Sequence, residues 1–308
     1  MKIKQHLLLI VVVAMAGCAF RPAMRRRPAG PTEATLAASE TVNGHIDSST
    51  ESDDQRRIRD LEKAAGEMID RRTATPVAKL IRQLDRGQCD LRLSKPSPSR
   101  MTPSQIYEQC KPSVLIVAGI YKCEKCGRWH PNAAGGFLIT ATGAFVTNYH
   151  VVNNDKNRIL VAMTDNGKVF PVKEVLAASK ANDVAILQLD AGGTTFQPLA
   201  LSPEAPVGAP VSVISHPNRR FYTLTSGIVS RHLTQMRGGG KTTMMMITAD
   251  FARGSSGGPV FNEYGAVMGF VESTMSLYYN TTDGKKDNLQ MVFKQCVVAE
   301  SVLRLVRQ

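Results

Sequence analysis

The stretch GGFLITATGAFVTNYHVV, residues 135–152, decides the fold class of this chain. It holds two short apolar runs on either side of a Thr-Gly turn, and the second run ends at His150. Apolar runs of this length between turn residues are typical of buried strands joined in a hairpin. A lone histidine after a strand is more often structural than catalytic, so this stretch by itself predicts β structure and no particular reaction.

The same pattern of short apolar runs continues through the rest of the chain. The predicted strands lie at residues 113–120, 135–140, 143–148, 158–164, 168–176, 183–189, 210–215, 222–230, 243–248, 258–261, 266–273 and 289–293. About a dozen strands within one segment predict paired barrels or sandwiches. After them, the apolar spacing of residues 297–306 predicts a C-terminal amphipathic helix.

The region before the strands has a different composition. Residues 19–50 are rich in Pro, Ala, Thr, Ser and Arg and hold almost no large apolar side chain, which predicts a flexible tether. Apolar residues at helical spacing then predict helices over 52–72 and 76–86, and 95–104 is predicted to be a linker. We therefore expect a tether and helical extension over residues 18–104.

The first residues are typical of an export signal over residues 1–17. Lys2 and Lys4 precede a short apolar run, Leu7 to Met15, which is too short to span a bilayer as a mature helix. The segment Met-Ala-Gly-Cys at 15–18 resembles a bacterial lipobox, although Met15 departs from the usual Leu. We expect lipidation of Cys18 and a membrane-anchored protein facing the periplasm; ordinary signal-peptidase cleavage is the alternative.

Two further segments hold polar residues that suggest chemistry. In NDVAILQLD, residues 182–190, Asp183 precedes an apolar run, and in ARGSSGGPVFN, residues 252–262, Ser256 lies within a cluster of small residues. Each segment alone fits a simple turn. Together with His150 they give the order His, Asp, Ser, which is that of the chymotrypsin type and differs from the order in subtilisins and α/β-hydrolases.

The strings TNYHVV, NDVAIL and GSSGGPV resemble motifs of trypsin-like serine proteases, most closely those of the HtrA/Deg branch. SHPNRRFYTLTSGIVSR, residues 215–231, extends the resemblance, which covers roughly residues 105–308. It implies an all-β fold of two antiparallel six-stranded β-barrels, over 105–200 and 201–308. Because the chain ends at Gln308, we expect none of the PDZ domains common in HtrA proteins.

The resemblance implies a serine endopeptidase acting on polypeptides through an acyl-enzyme, with His150, Asp183 and Ser256 as its triad. A serine hydroxyl needs a base to take its proton, and an imidazole of near-neutral pKa suits this task. The backbone N–H groups of Gly254 and Ser256 would form the oxyanion hole. We expect no cofactor. Alternatives are a catalytically silent pseudo-peptidase that serves as a binding module, and an esterase using the same triad.

Two residues near Ser256 bear on regulation and specificity. Ser255 stands where digestive zymogens carry an Asp that pairs with a new N-terminus, so we expect no activation by N-terminal cleavage. Asp250 lies at the offset of the specificity Asp of trypsin, but we expect it to be a structural hydrogen-bond acceptor. The edge strand formed by residues 270–274 is expected to pair with substrate.

The remaining features concern charge and cysteines. The net charge of +12 is spread along the chain and no nucleic-acid motif accompanies it, so we expect no nucleic-acid partner. Beyond Cys18 the chain has an odd set of cysteines: Cys89, Cys110, Cys123, Cys126 and Cys296. Cys123, Cys126 and His130 resemble half of a zinc site, and a disulfide or, less readily, free thiols are the alternatives.

Overall fold

The computed structural model describes residues 53–237, 240–282 and 285–307. The predicted signal segment, Cys18 and the predicted tether over 19–50 lie outside these residues. Within the described part, no helix combines the length and apolar character needed to cross a membrane.

Residues 53–110 hold short elements that precede the barrels. They are the helices α1 (Asp53–Asp70) and α2 (Val77–Ile81), the strand β1 (Cys89–Asp90) and the helix α3 (Pro103–Cys110). Leu61 and Ala65 of α1 are fully buried in the main hydrophobic core, as their helical spacing predicted. Helix α3 was not predicted; it begins with a capping box at Thr102, whose side chain accepts the Gln105 N–H.

The first barrel is closed by six antiparallel strands. They are β2 (Val114–Lys122), β3 (Trp129–Leu138), β4 (Ala144–Thr147), β5 (Ile159–Met163), β6 (Val169–Ser179) and β7 (Val184–Leu189), in the spatial order β2-β3-β4-β7-β6-β5. A single helical turn, α4 (Tyr149–Val152), follows β4. Pairing between β4 and β7 brings the segment after β4 next to the segment before β7, because the strands run in opposite directions.

The second barrel is built in the same way. Its strands are β8 (Pro210–Ser215), β9 (Thr223–Arg237), β10 (Gly240–Ile247), β11 (Pro259–Phe261), β12 (Val267–Thr282) and β13 (Lys285–Val298), in the order β10-β13-β12-β11-β8-β9. The prediction of an all-β fold with two six-stranded antiparallel barrels is thus confirmed. Strands β9, β12 and β13 extend well beyond the apolar runs that predicted them, as exposed hairpin arms.

The C-terminal helix is shorter than predicted. Val297 and Val298 belong to β13, where Val297 pairs with Met244 and Phe270, and only α5 (Glu300–Leu303) is helical. The chain then forms the strand β14 (Val306–Arg307), which pairs in parallel with β1. The expected helix over 297–306 was therefore wrong at both ends. The sheet of the second barrel takes up Val297 and Val298, and the pairing with β1 takes up Val306.

The segment before the barrels packs against them. Helix α1 lies against β3, the N–H of Val77 in α2 donates to the Arg158 carbonyl, and Val77 is buried in the first barrel. The prediction of a helix over 76–86 was too long, since α2 ends at Ile81 and turns follow. This segment therefore covers the outside of the barrels with apolar contacts.

Candidate active site

His150 and Asp183 lie side by side in the first barrel. His150 is in α4, directly after β4, and Asp183 directly precedes β7. The pairing of Thr147 with Ala185 joins the two strands at this end, which sets the histidine next to the carboxylate. Asp183 has a φ of 52°, a left-handed conformation that non-glycine residues rarely adopt and that often marks a functional site.

The buried Asp183 carboxylate is fully engaged by the segment that carries His150. Its Oδ2 accepts the Nδ1–H of His150 at 2.8 Å and the Nδ2–H of Asn148 at 3.0 Å. Its Oδ1 accepts the backbone N–H of His150 at 3.0 Å. This arrangement assigns the proton to Nδ1 of the neutral ring and leaves Nε2 as the proton acceptor.

The charges around His150 favour its protonated form. Burial opposes a positive charge on the ring, but the hydrogen bond and the negative charge of Asp183 outweigh it, and Glu272 adds to them. Arg237 acts in the opposite direction. The net result is a pKa of His150 above its ordinary value. An imidazolium that forms here during a reaction is therefore stabilised.

Ser256 shares a cavity with His150. The cavity has a volume of about 460 Å³ and is lined by Asn132, Ala133, Ala134, His150, Val151, Asn154, Asn218, Arg219, Arg253, Gly254 and Ser256. The Ser256 hydroxyl donates to the Glu272 carbonyl oxygen at 3.4 Å, a long contact. The Ser256 hydroxyl and the His150 ring, both among the described residues, are not hydrogen-bonded to each other. Hydrogen bonds between catalytic groups are often long or poorly aligned until a substrate binds.

The backbone around Ser256 leaves two N–H groups without an acceptor. The N–H groups of Ser255, Gly257 and Gly258 donate to the carbonyls of Ala252, Val271 and Ser255 respectively. No acceptor within the described part of the chain binds the N–H of Gly254 or Ser256, and both residues line the cavity. These are the two groups predicted to form an oxyanion hole.

Glycine is required at two positions in this turn. Gly254 has a φ of +96°, and a Cβ there would meet the His216 carbonyl oxygen at 2.8 Å. Gly257 has a φ of +81°, and its Cβ would lie 2.2 Å from the Gly135 carbonyl oxygen. The Gly135 N–H also donates to the Ser256 carbonyl at 2.6 Å, so the backbones of the two barrels touch at the turn that carries Ser256.

Two charged residues near His150 escaped the sequence analysis. The Glu272 side chain is buried and forms an ion pair with Arg237. Their charges act on His150 in opposite directions, as described above. They lie on β12 and β9, far apart in sequence and outside any motif. The one available signal was an acidic residue within the apolar run of β12.

His216, Asp250 and Ser255, which the sequence also singled out, form no side-chain hydrogen bond to His150 or Ser256 within the described part of the chain. His216 is fully buried, donates from Nε2 to the Leu115 carbonyl and accepts the Tyr222 N–H at Nδ1, and burial lowers its pKa to about 4. Asp250 pairs with Lys294 at 3.0 Å and does not line the cavity that holds Ser256. Ser255 is fully buried, and its hydroxyl has no partner among the described residues.

The five described cysteines are free thiols. Burial raises the pKa of Cys89 and Cys110 to about 11 and that of Cys296 well above its ordinary value, so these three are neutral thiols. Cys123, Cys126 and His130 form a separate cluster, with their ligand atoms within 4.8 Å of one another.

Comparison with known proteins finds sequence similarity over the two barrels. Residues 134–270, which include His150, Asp183 and Ser256, match the trypsin-like peptidase domain family. Probable periplasmic serine endoproteases, DegP-like, from Ectopseudomonas mendocina and Rhizobium meliloti are 32% and 33% identical over 44% and 46% of the chain. The serine endoprotease DegS of Salmonella typhimurium is 30% identical over 49% of it.

The matched part of those relatives is limited. The chain spans 28% of the length of each DegP-like relative and 41% of DegS. The similarity confirms the prediction of a trypsin-like domain related to the HtrA/Deg branch. The lipoprotein signal stays a prediction.

Proposed function

We propose that this chain is a serine endopeptidase with His150, Asp183 and Ser256 as its catalytic triad. The observation that carries the proposal is the shared cavity of His150 and Ser256. One of its walls holds a histidine oriented by a buried carboxylate. The other holds Ser256, whose own N–H and that of Gly254 have no acceptor among the described residues. A base, a nucleophile and an oxyanion site are the parts that acyl transfer needs.

The reaction follows from the roles of these groups. Ser256 Oγ attacks the carbonyl carbon of the scissile bond while its proton passes to Nε2 of His150. The oxygen of the tetrahedral intermediate accepts hydrogen bonds from the N–H groups of Gly254 and Ser256. His150 then gives the proton to the leaving amine, and an acyl-enzyme remains. A water molecule, deprotonated by His150, releases the acid and restores Ser256.

An open strand edge beside Ser256 supports a polypeptide substrate. Strand β12 pairs with β13 along its length, but its pairing with β11 covers only Val267–Phe270. Val271 still exchanges hydrogen bonds with Gly257 and Gly258. Beyond Val271, no described strand pairs with this edge of β12. An extended peptide can add to such an edge, which would draw its scissile bond toward Ser256.

We further propose that the substrates are proteins of the bacterial cell envelope. The support is the export signal expected at residues 1–17 and the similarity to relatives named as periplasmic endoproteases. Lipidation at Cys18 would hold the enzyme at a membrane surface, within reach of exported proteins. Mass spectrometry of the mature N-terminus tests this part, and an unlipidated N-terminus other than Cys18 refutes the anchor.

The peptidase proposal is tested with unfolded protein and simple ester substrates. We expect the wild-type chain to cleave the unfolded protein internally and Ser256→Ala to leave it intact. Hydrolysis of esters without any cleavage of polypeptides favours an esterase. The Ser256 hydroxyl contacts the Glu272 carbonyl and not His150. A silent pseudo-peptidase would keep this arrangement when substrate is added. Folded protein that hydrolyses neither substrate favours that alternative.

A further inference from the structure

The turn between β2 and β3 holds a cluster of metal-binding side chains that the peptidase reaction does not use. Cys123, Cys126 and His130 lie within one short segment, and their ligand atoms are all within 4.8 Å of one another. Nε2 of His130 is 3.1 Å from the sulfur of Cys126. Two thiol sulfurs and one imidazole nitrogen are the ligands that Zn²⁺ prefers.

The backbone of this turn is shaped around the two sulfurs. The Cys123 N–H donates to the Arg128 carbonyl, and the Gly127 N–H donates to the Cys123 carbonyl, which closes a tight loop. Gly127 has a φ of +67°, the left-handed conformation that lets the chain reverse directly after Cys126. The backbone N–H of Arg128 and the His130 ring both contact the Cys126 sulfur. The loop therefore holds the Cys126 sulfur next to the imidazole of His130.

A carboxylate from the N-terminal helix orients the histidine. Glu62 of α1 accepts the Nδ1–H of His130 at 2.9 Å, so the lone pair of Nε2 points toward the sulfurs. A carboxylate bound to the outer nitrogen of a ligating histidine is the usual support of a zinc site. Glu62 and His130 are far apart in sequence, so this contact joins the extension to the first barrel.

The spacing of the ligand atoms suits a metal ion. Zinc bonds of about 2.3 Å to sulfur and about 2.0–2.1 Å to nitrogen, in tetrahedral geometry, place neighbouring ligand atoms roughly 3.5–3.8 Å apart. The Nε2 of His130 and the Cys126 sulfur are 3.1 Å apart, and no pair of ligand atoms is more than 4.8 Å apart, so side-chain movements of about 1 Å suffice. A disulfide would instead bring the two sulfurs to about 2.0 Å and remove both from the histidine.

We propose that Cys123, Cys126 and His130 bind one zinc ion, with a water molecule as the fourth ligand and Glu62 as the residue that positions His130. None of the other described cysteines belongs to the cluster. The metal would join the turn before β3 to α1, and β3 continues from there to Ala134 at the cavity wall.

Cobalt titration tests the site. The full chain carrying Ser256→Ala, which avoids self-digestion, is stripped of metal, reduced and titrated with Co²⁺ under argon. We expect a thiolate-to-cobalt absorption band and intense visible bands that saturate at one equivalent and disappear on addition of Zn²⁺. Cys126→Ser should lose the thiolate band. Glu62→Gln should keep the band and bind about 10–100-fold more weakly.

Cys89→Ser is the matched control, because Cys89 is a half-buried thiol outside the cluster. It should titrate like its parent protein. The proposal is overturned if no thiolate band appears, if Cys126→Ser retains it, or if Cys89→Ser loses it. It is also overturned if protein isolated without reductant holds a Cys123–Cys126 disulfide and no metal. Because every readout is spectroscopic or analytical, failure here leaves the peptidase proposal untouched.

Discussion

The Asp183 carboxylate binds His150 twice, with one oxygen on the ring Nδ1–H at 2.8 Å and the other on the backbone N–H at 3.0 Å. The first contact selects the ring tautomer, and the second fixes the main chain that carries the ring. A geometry of this kind predicts that the carboxylate acts through the histidine and leaves substrate binding to other residues.

Asp183→Asn should lower kcat for peptide hydrolysis by about 10⁴ and change KM little. The asparagine amide would turn an N–H group toward Nδ1 and favour the wrong tautomer of His150. Steady-state kinetics measure this loss. Asp190→Asn, at the far end of β7, is the control and should retain wild-type kcat. A loss that lies mainly in KM would contradict the assigned role.

The pH profile should reflect the charges around His150. Burial lowers the pKa of His150, but Asp183 and Glu272 together raise it by more. The net pKa is therefore above the ordinary value of about 6.5. The reaction needs the neutral ring, so the acid limb of kcat/KM should lie at higher pH than for an ordinary histidine. Glu272→Gln removes a negative charge that favours the imidazolium, which should move this limb to lower pH.

Glu174→Gln is the control for that shift. Glu174 also pairs with an arginine, Arg86, but at the surface and away from the cavity. The acid limb of kcat/KM in the Glu174→Gln variant should coincide with that of the wild type. An acid limb that stays in place or moves to higher pH in Glu272→Gln would show that Glu272 does not act on His150.

Gly254→Ala should reduce kcat by about 10²–10³ with a small change in KM. The added Cβ would meet the His216 carbonyl at 2.8 Å, and the φ of +96° disfavours alanine, so the N–H would move out of position. Gly208→Ala is matched in backbone, with a φ of +88° and no atom near the new Cβ. It should cost a little stability and no activity. Equal kcat losses in both variants would count against the oxyanion hole.

The N-terminal helix should stabilise the loop that packs against the turn carrying Gly254 and Ser256. Asp54 of α1 accepts the Phe221 N–H at 3.0 Å, and the guanidinium of Arg57 lies 5.1 Å from the centre of the Tyr222 ring. The same loop contacts the turn that carries Ser256, because the Asn218 N–H donates to the Arg253 carbonyl. Asp54→Ala should lower the free energy of unfolding by about 1 kcal/mol.

Asp53→Ala offers a close comparison on the same helix. Asp53 pairs with Arg56 at the exposed surface, so its loss should cost less than about 0.5 kcal/mol. Urea unfolding of both variants gives the two values. Equal effects would mean that the Asp54 contact contributes no more than a surface ion pair.

The sequence predicted all twelve barrel strands because each has an apolar run with one or both faces buried. It did not predict the full length of β12 and β13, since the outer arms of this hairpin are exposed on both faces and carry no burial pattern. The apolar spacing of residues 297–306 predicted a helix, but the first two are β-branched valines, which also suit a strand. Pairing with β10 and β12, which only the fold provides, decided for the strand at Val297 and Val298.

In the candidate site, too, the local sequence revealed some residues, and others depend on the fold. The segments that carry His150, Asp183 and Ser256 were evident because each combines a polar residue with a strand boundary or small residues. The ion pair of Glu272 with Arg237 was not evident, because it forms between two long strands and depends on their register. The contact of Glu62 with His130 escaped prediction for a related reason, since it depends on how α1 docks on the barrel.

The most direct measurement of the central claim is labelling with a fluorophosphonate, which reacts with an activated serine hydroxyl. Mass spectrometry then locates the modified residue in the wild-type chain and in Ser256→Ala and His150→Ala, each checked for folding by circular dichroism. The account predicts one adduct, on Ser256, that is absent from Ser256→Ala and strongly reduced in His150→Ala. Folded wild-type protein that stays unlabelled, or that carries the adduct on another serine, would contradict it.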